Sequence, residues 1–442
     1  MWPELFTERM QAQLGQEYPG FQHALQQPPP VSLRLNGAKV SHASALEEVP
    51  WCIGGYYLPE RPVFALDPWW HAGAYFVQEA SSMLLDAVVR QLSGTMPLRV
   101  LDLCAAPGGK TTLLASALPE GSVLVANEVI RSRVTILKEN VIRWGTGNVV
   151  VTQNDPEVFE RLPAYFDGIV VDAPCSGEGL FRKDEAAAGE WSERNLALCA
   201  ARQARILESV TQSLKPGGWM VYSTCTFNPE ENDQQIAKWV DTGWETVALH
   251  IDSVCGFVST GYGYQAYPHR VKGEGFYLAV LRKPDAEEKT FREPKHAWVK
   301  GKGPWGDSLN AGWTCRQWRN AEFLFPETVE AVLPGLEEKL HVVYAGVEAG
   351  ILKGKDAIPA QPLAMMTDAS GLPWPAWDLT PEEALTYLRK DVLPPDASHT
   401  GWAHITCKGL GLGWAKVLPN RVNNAYPVAW RLRMAGDPAQ VI

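Results

Sequence analysis

The chain has 442 residues, 46% of them hydrophobic, eight cysteines and a formal net charge of −10. A single core stops growing at about 250–300 residues, so a large central domain with smaller ones attached is expected. None of the cysteines forms a Cys-x-x-Cys pair, which argues against structural zinc and a disulfide framework, and the acidic total confines any contact with polyanions to local basic patches.

The N-terminus, MWPELFTERM, carries Glu4, Glu8 and Arg9 and lacks the apolar stretch of a signal peptide. No uninterrupted apolar run approaches the roughly 20 residues that span a bilayer. A soluble, cytoplasmic protein with reduced thiols and no bound metal is the expectation. The eighteen tryptophans read first as packing.

Residues up to about 90 form a mixed opening segment, in which Pro28-Pro29-Pro30 marks a break before the strand-like VSLRLN (31–36). A repeated strand–turn–helix pattern follows. Strands are expected over 98–106, 123–128, 148–155, 166–174, 219–226 and, closing the series, 274–283. Helices are expected over 110–118, 132–144, about 190–213 and 228–240, with Lys215-Pro216-Gly217-Gly218 as a stop signal. Such alternation means a mainly parallel sheet covered on both faces, with ligands outside the carboxyl ends of its strands. After Lys283 comes a charged linker (285–306), then short runs such as HVVYAGV (341–347) and 401–418 that read as small β-containing modules.

LDLCAAPGGKT (101–111) runs from a strand through a glycine turn into a helix, where backbone N–H groups meet an anionic ligand group. It is not a nucleotide P-loop, because Cys104 stands where the first glycine must be, and it is not Gly-x-Gly-x-x-Gly either. Glu128 closes the second strand, as a carboxylate that takes a ribose diol does, and Asp155 closes the third, within reach of an adenine amino group. Alone, each carboxylate reads as a helix cap. Together with the glycine turn they outline a pocket for S-adenosylmethionine. DAPCSGEG (172–179) and STCTFNPEEN (223–232) place Cys175 and Cys225 at the ends of neighbouring strands, whereas Cys104, Cys199 and Cys255 read as inert small hydrophobes.

With PPPVSLRLN, VPWCIGGYYL, FVQEASSML and YPHRVKGEGFYLAVLRK, these motifs resemble the RNA (cytosine-5)-methyltransferases of the Sun/Fmu group, most closely the RsmF (YebU) type that modifies small-subunit ribosomal RNA. The resemblance implies a Rossmann-like class I methyltransferase fold with a mixed, mainly parallel sheet, a small N-terminal segment (1–92) that positions RNA, and a catalytic domain (93–284). It also implies a linker with a small module (285–375) and a PUA-like RNA-binding module (376–442), where 409–433 carries the likeness. It implies cofactor contacts from Cys104, Ala105, Ala106, Pro107, Gly108, Gly109 and Lys110, with Glu128, Asp155 and Asp172. Cys225 becomes the nucleophile, Cys175 the thiol of release, and Asp172 the group that orients the base. RNA is the expected partner, ribosomal RNA or the small subunit, with tRNA or another RNA as the alternative.

Two other readings stand beside this one. In a DNA-type cytosine-5 enzyme the nucleophile follows a proline, which is Cys175; a non-catalytic RNA-binding scaffold would not bind the cofactor. For phosphate contacts, Arg34, Arg182, Lys183, His269 and Arg270 flank the site. Lys295, Lys300, Lys302, Arg316 and Arg319, interleaved with Trp298, Trp305, Trp313 and Trp318, suggest a basic aromatic surface for stacked RNA.

Overall fold

A computed structural model describes residues 2–442 apart from 44, 184, 307–311, 355, 368–370, 395–397 and 399. The centre is a sheet whose parallel strands are β1 (Arg99–Asp102), β2 (Val123–Asn127), β3 (Val149–Thr152), β4 (Phe166–Asp172) and β5 (Leu214–Thr224). Their continuous Val/Leu/Ile runs reflect burial on both faces. Two antiparallel strands flank them, β6 (Phe276–Arg282) against β5 and β7 (Val342–Ala345) against β3. The spatial order is β6-β5-β4-β1-β2-β3-β7, with short strands extending it beyond β6.

Helices α1 (Gly109–Ala117), α2 (Arg131–Trp144), α3 (Glu193–Val210) and α4 (Asp233–Val240) connect the strands. α2 ends at Gly145, whose positive φ of 83° caps it. Two expected boundaries shift. The Lys215–Gly218 run does not separate helix from strand but lies within β5, which starts at Leu214, because Lys215 pairs with Asp167 and Lys283 N–H donates to the Gly218 carbonyl. The helix expected from 228 begins only at Asp233, because Asn228 to Asn232 fold into a hydrogen-bonded loop instead.

Chain order reverses direction at β1, with β2 on one side and β4 on the other. A crevice opens there at the carboxyl ends, where open α/β sheets bind ligands. An N-terminal four-stranded antiparallel sheet, which includes Val31–Leu35 and Tyr75–Val77, packs beside that edge. Helices Glu4–Leu14 and Tyr18–Gln26 brace the two cysteine loops: Phe6 meets Phe181 and Phe21 meets Phe227 edge to face, at 4.9 and 5.2 Å between centroids.

Beyond Lys283 the chain does not leave the central domain at once. Helix α5 (Glu327–Lys339) buries Val329, Val332, Leu333 and Leu336 in the same core as the central sheet, and β7 follows it onto the sheet edge. Two further four-stranded sheets complete the chain; the second contains Gly401–Cys407 and Leu410–Leu418. No described helix is long and apolar enough to cross a membrane.

Candidate active site

β1 ends in Asp102 and delivers the chain into the loop Cys104–Lys110. Gly108 caps α1 with φ +114°, a conformation that favours glycine, and a Cβ there would sit 3.3 Å from Leu137 Cδ1. The loop is fixed from below: Ala105 N–H donates to the Asn127 carbonyl, and Arg133 Nη2 donates to the Ala106 carbonyl at 2.7 Å. Arg133 also pairs with Glu128 Oε2 at 3.2 Å, while Glu128 Oε1 accepts from Ile130 N–H. Arg133 is a site residue that the sequence reading missed; its only signal was its place on the first turn of the helix after Glu128.

Asp102 is wholly buried. Its Oδ2 accepts from Thr111 Oγ1 at 2.7 Å, and its Oδ1 has no partner. Burial raises its carboxyl to about 7, against the Thr111 hydrogen bond and with the help of nearby Asp172 and Glu128. Three carboxylates therefore converge around half-buried Cys104, whose own thiol is pushed up by burial and by those same charges. An acidic cluster beside an amide-rich glycine turn fits S-adenosylmethionine, whose sulfonium and ammonium are cationic and whose carboxylate suits the turn. Asp155 is exposed and caps the following 3-10 turn, accepting from Glu157 N–H at 3.2 Å.

Lys110 reaches from α1 to Asp172 Oδ2 at 2.8 Å, and Ser223 Oγ donates to Asp172 Oδ1 at 2.7 Å. Burial alone would lower the Lys110 ammonium, but Asp172 first, then Asp102 and Cys225, hold it above the usual lysine value. The lysine thus joins the cofactor loop to the thiols. Cys175 Sγ and Cys225 Sγ lie 3.0 Å apart as free thiols, and Cys225 N–H points at Cys175 Sγ at 3.3 Å. The thiol–thiol hydrogen bond to Cys225 Sγ first, and then burial, push the Cys175 thiol far up. Cys175 is therefore held in its protonated form.

Two buried glutamates lock the thiol loops together. Glu178 Oε2 accepts from Thr226 Oγ1 and Phe227 N–H, and its Oε1 accepts from Trp191 Nε1. Glu231 accepts from Ser176 N–H and Gln203 Nε2 on one oxygen and from Asn228 Nδ2 on the other. Sequence reasoning quoted both motifs without assigning these carboxylates; their signal was an acidic residue a few positions beyond each cysteine.

Three consecutive stretches match described families: the N-terminal domain of 16S rRNA methyltransferase RsmF over residues 2–80, 16S rRNA methyltransferase RsmB/F over 92–282, and the methyltransferase RsmF PUA domain over 375–432. The chain is 33% identical to ribosomal RNA small subunit methyltransferase F of Klebsiella pneumoniae over 96% of both chains. The chain belongs to the ribosomal RNA small subunit methyltransferase F family. The protein of the same name from Escherichia coli K12 is 31% identical with the same coverage. A solved methyltransferase homologue from Pyrococcus horikoshii superposes at TM-score 0.56 with 28% identity, covering 64% of this chain and 95% of that one. NSun6 from the same organism, solved with SFG, shares the fold at TM-score 0.54 and 20% identity, over 64% and 99% of the two chains.

As a member of the methyltransferase F family, the chain is an S-adenosylmethionine-dependent methyltransferase of small-subunit ribosomal RNA, with a PUA module for RNA. The basic residues nominated beside its site are each engaged with groups of the protein itself. Arg34 is 2% exposed, donates to Gln78 Oε1 and Thr112 Oγ1, and stacks over Trp144. It anchors α1. Arg182 is sealed against Glu274, the Gly273 carbonyl and the Ala24 carbonyl, and Lys183 shares Glu274 at 3.6 Å. His269 and Arg270 both engage Glu17, whose carboxyl they hold down at about 2.

The basic aromatic surface is likewise not formed by its tryptophans. Trp305 is fully buried and donates to Glu322; Trp318 is buried, donates to Glu337, and carries Arg319 over its face. Trp298 packs on Phe325, and Trp313 closes over Gly147. Arg316 pairs with Glu330 at 2.8 Å, which leaves exposed Lys295, Lys300 and Lys302 as scattered surface charges. Trp305 and Trp318 thus lie in the core, and Trp298 and Trp313 are half-buried against it.

Proposed function

We propose that this site methylates carbon 5 of cytosine in small-subunit ribosomal RNA through a covalent adduct to Cys225. The observation that carries the reading is the 3.0 Å contact between Cys175 and Cys225, with the Lys110–Asp172 pair joining them to the cofactor loop. Carbon 5 is a poor nucleophile until a thiolate adds to carbon 6 and makes it enamine-like. Cys225 supplies that thiolate. Asp172, held by Lys110 and Ser223, orients the N3 edge of the base. The cofactor, when bound, supplies an electrophilic methyl group. Carbon 5 then loses its proton to solvent, and the returning electron pair expels the Cys225 sulfur while the protonated Cys175 donates its S–H to the departing thiolate.

The target base must leave its stack to reach the half-buried thiols. The loop from Cys104 to Lys110 holds the methionine end of the cofactor, Glu128 its ribose and Asp155 its adenine. The reading places the protein in the cytoplasm, where thiols stay reduced and the small subunit is available. Purified protein with S-adenosylmethionine and 16S ribosomal RNA or small subunits should yield 5-methylcytosine by bisulfite sequencing. Methylation at another atom or base would overturn the proposal.

Two further outcomes test the pocket. Glu128→Ala and Asp155→Ala should each weaken cofactor binding roughly 10- to 150-fold, the equivalent of losing a hydrogen bond to a charged group worth about 1.5–3 kcal/mol. Calorimetric titration giving unchanged affinity in both variants would sink the assignment. Asp102 gives a pH test. Its raised carboxyl is largely protonated below pH 7 in the free protein, whereas a cationic ligand favours the ionised form. Cofactor affinity should therefore rise from pH 5.5 to pH 8, with proton release on binding below about pH 7. The dependence should vanish in Asp102→Asn, and a flat profile in the parent protein would count against it.

A further inference from the structure

Every basic residue nominated beside the thiols is tied to a polar or charged protein group, whereas two other arginines are held against aromatic rings. Arg61 and Arg143 have no carboxylate partner among the described residues, and both line one cleft of about 290 Å³ between the N-terminal sheet and α2. Its walls carry the half-buried rings of Phe64, Trp70 and Phe76. Arg61 lies over the Phe64 ring, and Arg143 lies between Trp70 and Trp430 at 5.1 and 4.9 Å from their centroids. Arg143 Nε is buried without an acceptor, which a packed protein rarely tolerates. At its rim the cleft reaches Pro107 of the cofactor loop, whose carbonyl accepts from Asn140 Nδ2 at 2.9 Å.

Aromatic faces combined with unpaired guanidinium groups are what an unstacked base and its phosphate require. The volume suits one base rather than a run of nucleotides. We propose that this cleft receives a single unstacked nucleobase of the ribosomal RNA, outside the methylated cytosine, with Arg61 on its phosphate. A base held there would press on the rear of the cofactor loop and couple RNA docking to cofactor placement. The inference rests on ribosomal RNA as substrate, so methylation by the parent protein is measured in the same experiment.

Filter binding of full-length protein to 16S ribosomal RNA and to small subunits, at several salt concentrations, tests it. Phe64→Leu keeps the apolar packing but removes the stacking face. It should weaken binding roughly 5- to 150-fold, the equivalent of one lost base stack, with the salt slope intact. Arg61→Ala should flatten that slope by about 0.7–0.9. Cofactor affinity should not change in either variant, and Trp70→Leu repeats the stacking test if Phe64→Leu does not fold. RNA binding by both stacking variants within twofold of the parent would overturn the proposal, even if Arg61→Ala changed the slope, since that would be a phosphate contact alone. A fall in cofactor affinity measured without RNA would also overturn it, because the cleft would then belong to the cofactor. Methylation by the parent with no effect from these variants rejects the cleft, whereas no methylation by the parent rejects the substrate.

Discussion

Cys225→Ala should abolish both methylation and any covalent protein–RNA complex, with a rate loss on the order of 10⁶-fold, the scale of removing an enzyme nucleophile. Cys175→Ala should still attack and methylate but release slowly. Losing the S–H that stabilises the departing thiolate removes a charge-assisted hydrogen bond worth about 1.5–3 kcal/mol, or roughly 10- to 150-fold in rate. A denaturing gel should then show a slow, RNase-sensitive band accumulating in Cys175→Ala and absent from Cys225→Ala and the double variant. The geometry gives the reason for the asymmetry. The sulfurs are 3.0 Å apart, and Cys175, pushed up by its hydrogen bond to Cys225 and by burial, stays protonated. The reverse pattern, an adduct in Cys225→Ala and none in Cys175→Ala, would make Cys175 the nucleophile, as in a DNA-type enzyme.

Truncation after Lys283 should destroy the catalytic domain rather than merely remove a tail. The cut deletes β7 and leaves β3 as an unpaired sheet edge, which invites aggregation. It also removes Val329, Val332, Leu333, Leu336 and Leu340 from the central core. At about 1.5–3 kcal/mol for each buried side chain, the loss is on the order of 10 kcal/mol, comparable to the whole stability of a typical domain. The truncated chain should be insoluble, or melt at least about 15 °C lower and bind no cofactor. Leu333→Ala in the full chain should cost about 2–5 kcal/mol by itself. A soluble truncated protein with an unchanged melting temperature would show that α5 and β7 are dispensable.

The sequence by itself determined the parallel series from Arg99 to Thr224, because doubly buried strands print continuous apolar runs and glycine turns print their own ends. It also determined that Glu128, Asp172, Cys175 and Cys225 lie at or just beyond the carboxyl ends of those strands, since each follows its strand within a few residues. What only the tertiary structure decided is which groups meet. Cys175 and Cys225 are 50 residues apart, and their contact depends on β4 and β5 being neighbours in register. Arg34 was legible as a charge near the site, but its partners Gln78 and Thr112 lie 44 and 78 residues away, so nothing local marked it as buried. The same holds for Arg182 with Glu274 and for His269 and Arg270 with Glu17. β7 shows this most fully: its short apolar run reads as a strand, but its pairing to β3, nearly 200 residues earlier, is set by α5 packing on the central core. Periodicity is local and the sequence carries it; charge neutralisation and edge pairing are settled by long-range packing, which the chain acquires only when it folds.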